Sequence, residues 1–241
     1  MKVVILAGGL GTRLSEYTNL IPKPMVPING EPILKHVMKC FYDYGYKDFI
    51  IALGYKGELI RNYFSDNLKK DDLIASSNIS LIDTGEKSLT GGRIKRLEDH
   101  INDKFFLTYG DGVANVNISN LINFHNAKGK IATVTAVRPI PRFGALEIEN
   151  DMVQSFSEKD KVKEGWINGG FFVFEKNIFS YLKNDLSVLE RDPLETLSNE
   201  GNLSAYKHNG FWQCMDTVRD KEVLEELSKE EKIPPWHKKI L

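Results

Sequence analysis

Hydrophobic positions come in short bursts along the chain, and the bursts alternate between two periods. Residues 2–7 (KVVILA) are a near-unbroken apolar run closed by glycines, the pattern of a strand buried on both faces. Residues 31–44 switch period: Ile33, Leu34, Val37, Met38 and Phe41 share one helical face, Pro32 is tolerated in the first turn, and Gly45 stops the helix. The alternation continues with a strand predicted over 48–54 (DFIIALG), a helix over 56–68, a strand over 78–83 (NISLID), a helix over 92–101 and a strand over 104–112 (KFFLTYGDG). This order implies an α/β fold, a mostly parallel sheet flanked by helices. Such sheets take ligands at the carboxyl ends of their strands. The segments GGLGTR (8–13) and YGDG (109–112) both follow such ends, so both are expected on one rim.

The second half reads differently. Strand-like segments at 131–137, 143–149, 152–158 and 167–175 are joined by short turns such as Asn150-Asp151, which predicts a mixed or antiparallel extension of the sheet. Residues 217–231 form a polar amphipathic helix, and the tail 233–241 (IPPWHKKIL) reads as a surface arm. Repeats, low-complexity runs and linkers are absent from the sequence, so residues 1–241 are expected as one domain.

Charge narrows the partners. Lys and Arg total 32 against 33 Asp and Glu, a formal net charge of −1, which leaves no footprint for nucleic acid. An anionic ligand must therefore be held by local groups. Cys40 and Cys214 lie far apart and form no CxxC pair, which points to a reducing compartment without structural zinc or disulfides. The apolar run from Val3 to Ala7 is too short for a signal peptide, and no segment has the length of a membrane span, so a cytoplasmic location without membrane partners is expected.

The candidate chemistry begins at residues 6–14, LAGGLGTRL. Glycines after a buried strand let the backbone approach a ligand and aim N–H groups at phosphate oxygens. Thr12 adds a hydroxyl and Arg13 a bidentate cation, which a mere turn would not need. The dinucleotide fingerprint fails because its third glycine position is Leu14, and the Walker pattern fails because no GK[ST] follows. Ten residues on, PKPM (22–25) holds Lys23 between two stiffening prolines, suited to a point charge on a triphosphate.

LAGGLGTRL followed by PKPM resembles the signature of the sugar-phosphate nucleotidyltransferases, which have a Rossmann-like core. GYKG (54–57), DTGEKSLTGGRIKR (83–96), TYGDGVA (108–114), RFGALEI (142–148), INGGFFV (167–173) and GFWQCMDTVRDK (210–221) are similar, in order, to the glucose-1-phosphate cytidylyltransferase branch. The resemblance implies transfer of CMP from CTP to a phosphorylated small molecule. Residues 1–115 would bind the nucleotide and 116–241 the acceptor. It implies Mg2+ held by Asp111 and Asp216; read alone, Asp111 could be turn chemistry and Asp216 the N-cap of the last helix, or both N-cap and ligand. The nucleotide would meet Leu6, Ala7, Gly8, Gly9, Gly11, Thr12, Arg13, Lys23, Gly91, Arg93 and Gly110, with the Gly91-Gly92 pair permitting close approach and Arg93 contacting phosphate. Glu158, Lys159, Arg142, Gly144 and Asn168 would line the acceptor pocket, Lys159 neutralising the acceptor phosphate. Arg13, Lys23, Asp111 and Lys159 would carry catalysis, which needs no protein nucleophile because one phosphate attacks another. The histidines at 36, 100, 125, 208 and 237 show no ligand or triad spacing and read as structural or exposed.

Two stretches depart from that branch. Its longer insertion before the DTG element is a short stretch here, residues 66–78, and its EKP is EKD, with Asp160 followed by the charged KVKEGW. An acceptor-side loop rewritten beside an intact nucleotide side predicts a different acceptor. The chain is similar to short relatives serving capsule phosphoramidate synthesis, so L-glutamine phosphate, giving CDP-L-glutamine, is the expected acceptor, with glucose 1-phosphate as the alternative. The resemblance admits a homo-oligomer. A non-catalytic nucleotide sensor is disfavoured, because a pure binder has no need of Arg13, Lys23, Asp111 and Asp216 together.

Overall fold

A computed structural model of the chain describes residues 1–139, 145–157, 165–230 and 233–238. Its centre is an eight-stranded mixed sheet. Asn78–Asp83, Asp48–Leu53, Val3–Leu6 and Phe105–Tyr109 lie side by side and parallel. Next comes Phe172–Phe174, antiparallel to Phe105–Tyr109, then Ala132–Val137, which pairs antiparallel with Phe172–Phe174 and with the two-residue Ile167–Asn168, and parallel with Leu203–Lys207. The first strand shows why its sequence is unbroken rather than alternating: Val3 and Ile5 enter the core on one face, Val4 and Leu6 the core on the other. The helix Ile33–Tyr42 covers the first face, where Phe41 packs on Phe106 and Phe171 with ring centroids 5.5 Å away.

The first strand has Asp48–Leu53 on one side and Phe105–Tyr109 on the other, so strand order reverses beside it. That reversal opens a crevice at the carboxyl ends, which is where GGLGTR and YGDG sit. The hairpin Ala145–Glu149 with Met152–Ser157 turns at Asn150 and Asp151, with φ of +47° and +60°. No helix among the described residues is long and apolar enough to cross a membrane.

Several elements differ from the sequence reading. The helix expected over 92–101 runs over Thr90–Lys95 and resumes as a single 3-10 turn, Glu98–His100. The strand expected over 167–175 breaks into Ile167–Asn168 and Phe172–Phe174, because Gly170 and Phe171 take φ of +73° and +46°. The tail is not a surface arm: Trp236 is 2% exposed and belongs to the core. It packs on Phe211 at 5.8 Å, and its indole N–H donates to His36 Nδ1 at 3.3 Å. The other nitrogen of His36 therefore carries the proton that meets the Ile28 carbonyl at 3.0 Å, and His237 Nε2 donates to His36 Nδ1 across 3.2 Å.

This arrangement needs neutral imidazoles. Burial, and then the neighbouring His36, pushes His237 down to about 3, and burial lowers His36, His125 and His208 in the same direction. A histidine lowered in the fold leaves the unfolded chain to take the proton first, below its ordinary pKa of about 6.5. The contribution is whole above that value and is lost as pH falls from it toward 3. The urea midpoint should thus drop between pH 7 and pH 5, and His237→Asn should narrow the drop; a midpoint flat over that range would contradict the assignment.

Candidate active site

The glycines after the first strand divide their work. A Cβ on Gly8 would lie 2.2 Å from Arg93 Nη1, and one on Gly54 would meet the same atom at 2.3 Å, so the guanidinium threads between two glycines. Gly9 has nothing within 4 Å of its Cβ position and faces open space. Gly11 takes φ +64°, and its bare face lies against Thr18 and Lys23.

Arg93 is 4% exposed. Its Nη1 donates toward Leu53 O, Thr84 Oγ1 and Gly85 O at 3.1, 3.0 and 2.7 Å, and its Nη2 toward Gly8 O and Glu86 O at 2.7 and 3.1 Å. These terminal N–H groups are spent on oxygens of the protein itself. Arg93 thus braces the strand-end loops that form the crevice, and it also lines the cavity between them. Gly91 and Gly92 serve packing. A Cβ on Gly92 would lie 2.2 Å from Asp185 O, and one on Gly91 would lie 2.9 Å from Ser187 O. The pair is small so that the helix Thr90–Lys95 can pack on that segment, where Gly92 N donates to Ser187 O at 3.1 Å.

Asp111 and Asp216 come from opposite halves of the chain and are drawn together by a short ladder. Gly112–Ala114 pairs antiparallel with Trp212–Cys214, Cys214 opposite Gly112, and Met215 N donates to Asp111 O at 2.9 Å. Lys23, 8% exposed in the 3-10 turn Lys23–Met25, places Nζ 2.6 Å from both Asp111 Oδ2 and Asp216 Oδ1. Arg13 Nη1 lies 2.9 Å from Asp216 Oδ2. Burial opposes the charge on Lys23, but the two carboxylates outweigh it and hold its pKa above the ordinary lysine value. Thr217, not Asp216, caps the last helix: Asp220 Oδ2 accepts from Thr217 N at 2.8 Å, and Asp220 N donates back to Thr217 Oγ1 at 3.2 Å. Asp216 is thereby released from capping, and its own N–H is held by Asp220 at 3.1 Å.

These groups line a cavity of about 890 Å³, bordered by Leu6, Ala7, Gly9, Gly11, Thr12, Arg13, Lys23, Gly110 and Asp111 from the first half and by Asn168, Trp212 and Asp216 from the second. Gly8 and Gly91 are buried behind it. Arg142, Gly144, Glu158 and Lys159 lie outside the described residues. Sequence reasoning missed Tyr109 and Trp212, although both stand inside segments that carry the family resemblance. The Trp212 indole donates to Gly169 O at 2.8 Å, tying the segment after Ile167–Asn168 to the ladder. Cys214, beside Asp216, is pushed up to about 12 by burial and the neighbouring aspartates, so it is a neutral thiol at pH 7.

A Gly-rich strand end, two paired carboxylates and two cations around one cavity are equipment for handling a nucleoside triphosphate. The nucleotidyl transferase family model matches residues 2–213, and the chain belongs to that family. Within it the chain falls on the glucose-1-phosphate cytidylyltransferase branch. It is 48% identical to the glucose-1-phosphate cytidylyltransferase of Salmonella typhi, over 97% of this chain and 98% of that one. It is 45% identical to a probable glucose-1-phosphate cytidylyltransferase of Bacillus subtilis, over 91% and 93%. Among solved structures, HddC from Yersinia pseudotuberculosis superposes with a TM-score of 0.73 at 31% identity, covering 93% of this chain and 98% of that one. Family resemblance, α/β fold and enzyme class are thus as the sequence implied.

Proposed function

We propose that the protein transfers CMP from CTP to glucose 1-phosphate, releasing pyrophosphate and forming CDP-glucose. The observation that carries the chemistry is the meeting of Arg13, Lys23, Asp111 and Asp216 at one wall of the cavity. The names of the relatives at 48% and 45% identity support the two substrates. They favour glucose 1-phosphate over the glutamine phosphate expected from residues 160–166.

The donor set fits Mg2+. Asp111 and Asp216 already enclose a cation, the Lys23 ammonium, and Mg2+ takes one or two carboxylates alongside substrate phosphates. Held there with the nucleotide, it would neutralise charge on the triphosphate. With Mg2+ on the carboxylates, Arg13 and Lys23 would be free to meet the triphosphate, and the open face of Gly9 would admit the phosphates close to the backbone. Lys159 pairs with the acceptor phosphate. An oxygen of that phosphate attacks the α-phosphorus in line, the bond to the β-phosphate oxygen breaks, and pyrophosphate carries away the electron pair. Two anions must meet, so alignment and charge neutralisation are the whole of the catalysis.

The rewritten 160–166 stretch supports one second reading, L-glutamine phosphate. One assay separates the two: pyrophosphate release from CTP with each acceptor at equal concentration and Mg2+ present. CDP-glucose is the expected product, with UTP, dTTP, ATP and GTP weak donors. CDP-glutamine without CDP-glucose would move the assignment to the second reading, and faster turnover with dTTP or UTP would overturn the cytidylyl branch.

A further inference from the structure

Glu190 stands behind the cavity wall, in the segment between the buried Leu189 and the helix Asp192–Asn199. Among the described residues no cation lies beside its carboxylate in the hydrogen-bond network. Instead, Oε1 lies 2.5 Å from the Tyr109 hydroxyl and Oε2 lies 2.6 Å from Thr90 Oγ1. An ionised carboxylate only accepts, so both hydroxyls must donate. A phenol has one proton, and that of Tyr109 is therefore committed to Glu190. Burial, then Glu190, raises the pKa of the phenol above its ordinary value, so the proton stays on it at neutral pH.

What remains on Tyr109 are lone pairs. One receives Asn168 Nδ2 at 3.2 Å, an amide whose orientation is fixed because Asn168 Oδ1 accepts from Gly170 N at 2.9 Å. Tyr109 and Asn168 both line the cavity, next to Gly110 and Asp111. Thr90 is spent in the same sense, donating to Glu190 and accepting from Leu189 N at 2.9 Å.

We propose that Glu190 is a positioning residue which fixes the Tyr109 hydroxyl as a hydrogen-bond acceptor facing the acceptor substrate, so that the site selects a substrate hydroxyl. The assignment deepens the sugar-phosphate reading above and rests on it. Glutamine at 190 would break the polarity without changing shape. An amide offers one acceptor and one donor, so one of the two hydroxyls must cease to donate; with Nε2 toward Tyr109, the phenol proton turns into the cavity.

The test is steady-state kinetics of Glu190→Gln and Tyr109→Phe with glucose 1-phosphate and with each of its monodeoxy analogues. Glu190→Gln should raise the KM for glucose 1-phosphate about tenfold, the scale of one hydrogen bond left unmade, with kcat and the KM for CTP within about threefold. One deoxy analogue should cost the wild-type protein about tenfold in KM and cost both variants almost nothing, which identifies the hydroxyl that Tyr109 accepts. If the CTP and acceptor KM values rise together, or if every analogue penalises the variants as much as the wild type, the assignment is overturned. Should Glu190→Gln fail to fold, Tyr109→Phe decides the matter by the same analogue comparison. A wild-type protein that makes no CDP-glucose would refute the function reading instead. The KM split would then be read with the phosphorylated acceptor it does use and that acceptor's deoxy or deamino analogues.

Discussion

Asp111→Asn and Asp216→Asn should each cut turnover by at least about a hundredfold while leaving the fold in place, the scale on which losing one charge-stabilising group from a preorganised site is felt. Each substitution keeps the size of the side chain and removes one anionic oxygen donor. The two should behave alike because the residues stand symmetrically about Lys23, each 2.6 Å from its ammonium. The fold should survive, since Lys23 keeps one carboxylate and the ladder that positions both residues is made of backbone. Pyrophosphate release at saturating CTP and Mg2+ gives the rate, and a melting curve checks the fold. If either variant turned over at close to the wild-type rate, that residue would not be a ligand.

Arg93→Met should be the most destabilising of the site substitutions, in the absence of any nucleotide. The methionine fills part of the space but removes a guanidinium hydrogen bond from the carbonyls of Gly8, Leu53, Gly85 and Glu86; Gly8 and Leu53 keep the amides of Tyr55 and Thr84, whereas Gly85 and Glu86 lose the donor that Arg93 supplies. A buried group left unpaired costs about 1–3 kcal/mol, and the guanidinium also fills the space between Gly8 and Gly54, so a net loss of about 2–3 kcal/mol is expected. In a chain of this size that lowers the melting midpoint by roughly 10 °C. Arg93→Lys should fail as well, because one ammonium cannot span the oxygens that the guanidinium bridges. A variant with the wild-type midpoint and weakened CTP binding would favour the phosphate contact over the bracing role.

These two cases mark where sequence reading succeeds and where it stops. Lys23 and Asp111 stand in local patterns, prolines around a lysine and glycines around an aspartate at a strand end, whereas nothing beside Asp216 marks it and only the family resemblance singled it out. The parallel half was legible for a similar reason: apolar runs such as Ile50 to Leu53 are explained by burial on both faces of one sheet. The bracing role of Arg93 and the packing role of Gly91 and Gly92 were not legible because Gly8, Leu53, Asp185 and Ser187 are distant in sequence. Nothing near Gly92 announces that the Asp185 carbonyl will sit where its Cβ would be. The helix Ile118–Lys128 was missed because Ser119, Asn120, Asn123 and Asn126 are poor helix formers; it is held by the Asn117 cap and by burial of Ile118, Leu121 and His125. Trp236 was misread because two prolines before it suggest a loop, and only the fold supplies the pocket of His36 and Phe211 that it fills.

The ladder of Gly112–Ala114 with Trp212–Cys214 has a further consequence. It is three residues long on each side and forms its own small sheet, apart from the eight strands of the core. Protein structures open in pieces, and short peripheral pairings open more readily than strands buried on both faces. An opening of this seam would part Asp111 from Asp216 while the central sheet stayed closed. Catalytic competence and global stability are thus separate quantities in this molecule. Exchange protection at the amides of 112–114 and 212–214 gauges the first, and protection along 3–6 and 105–109 gauges the second.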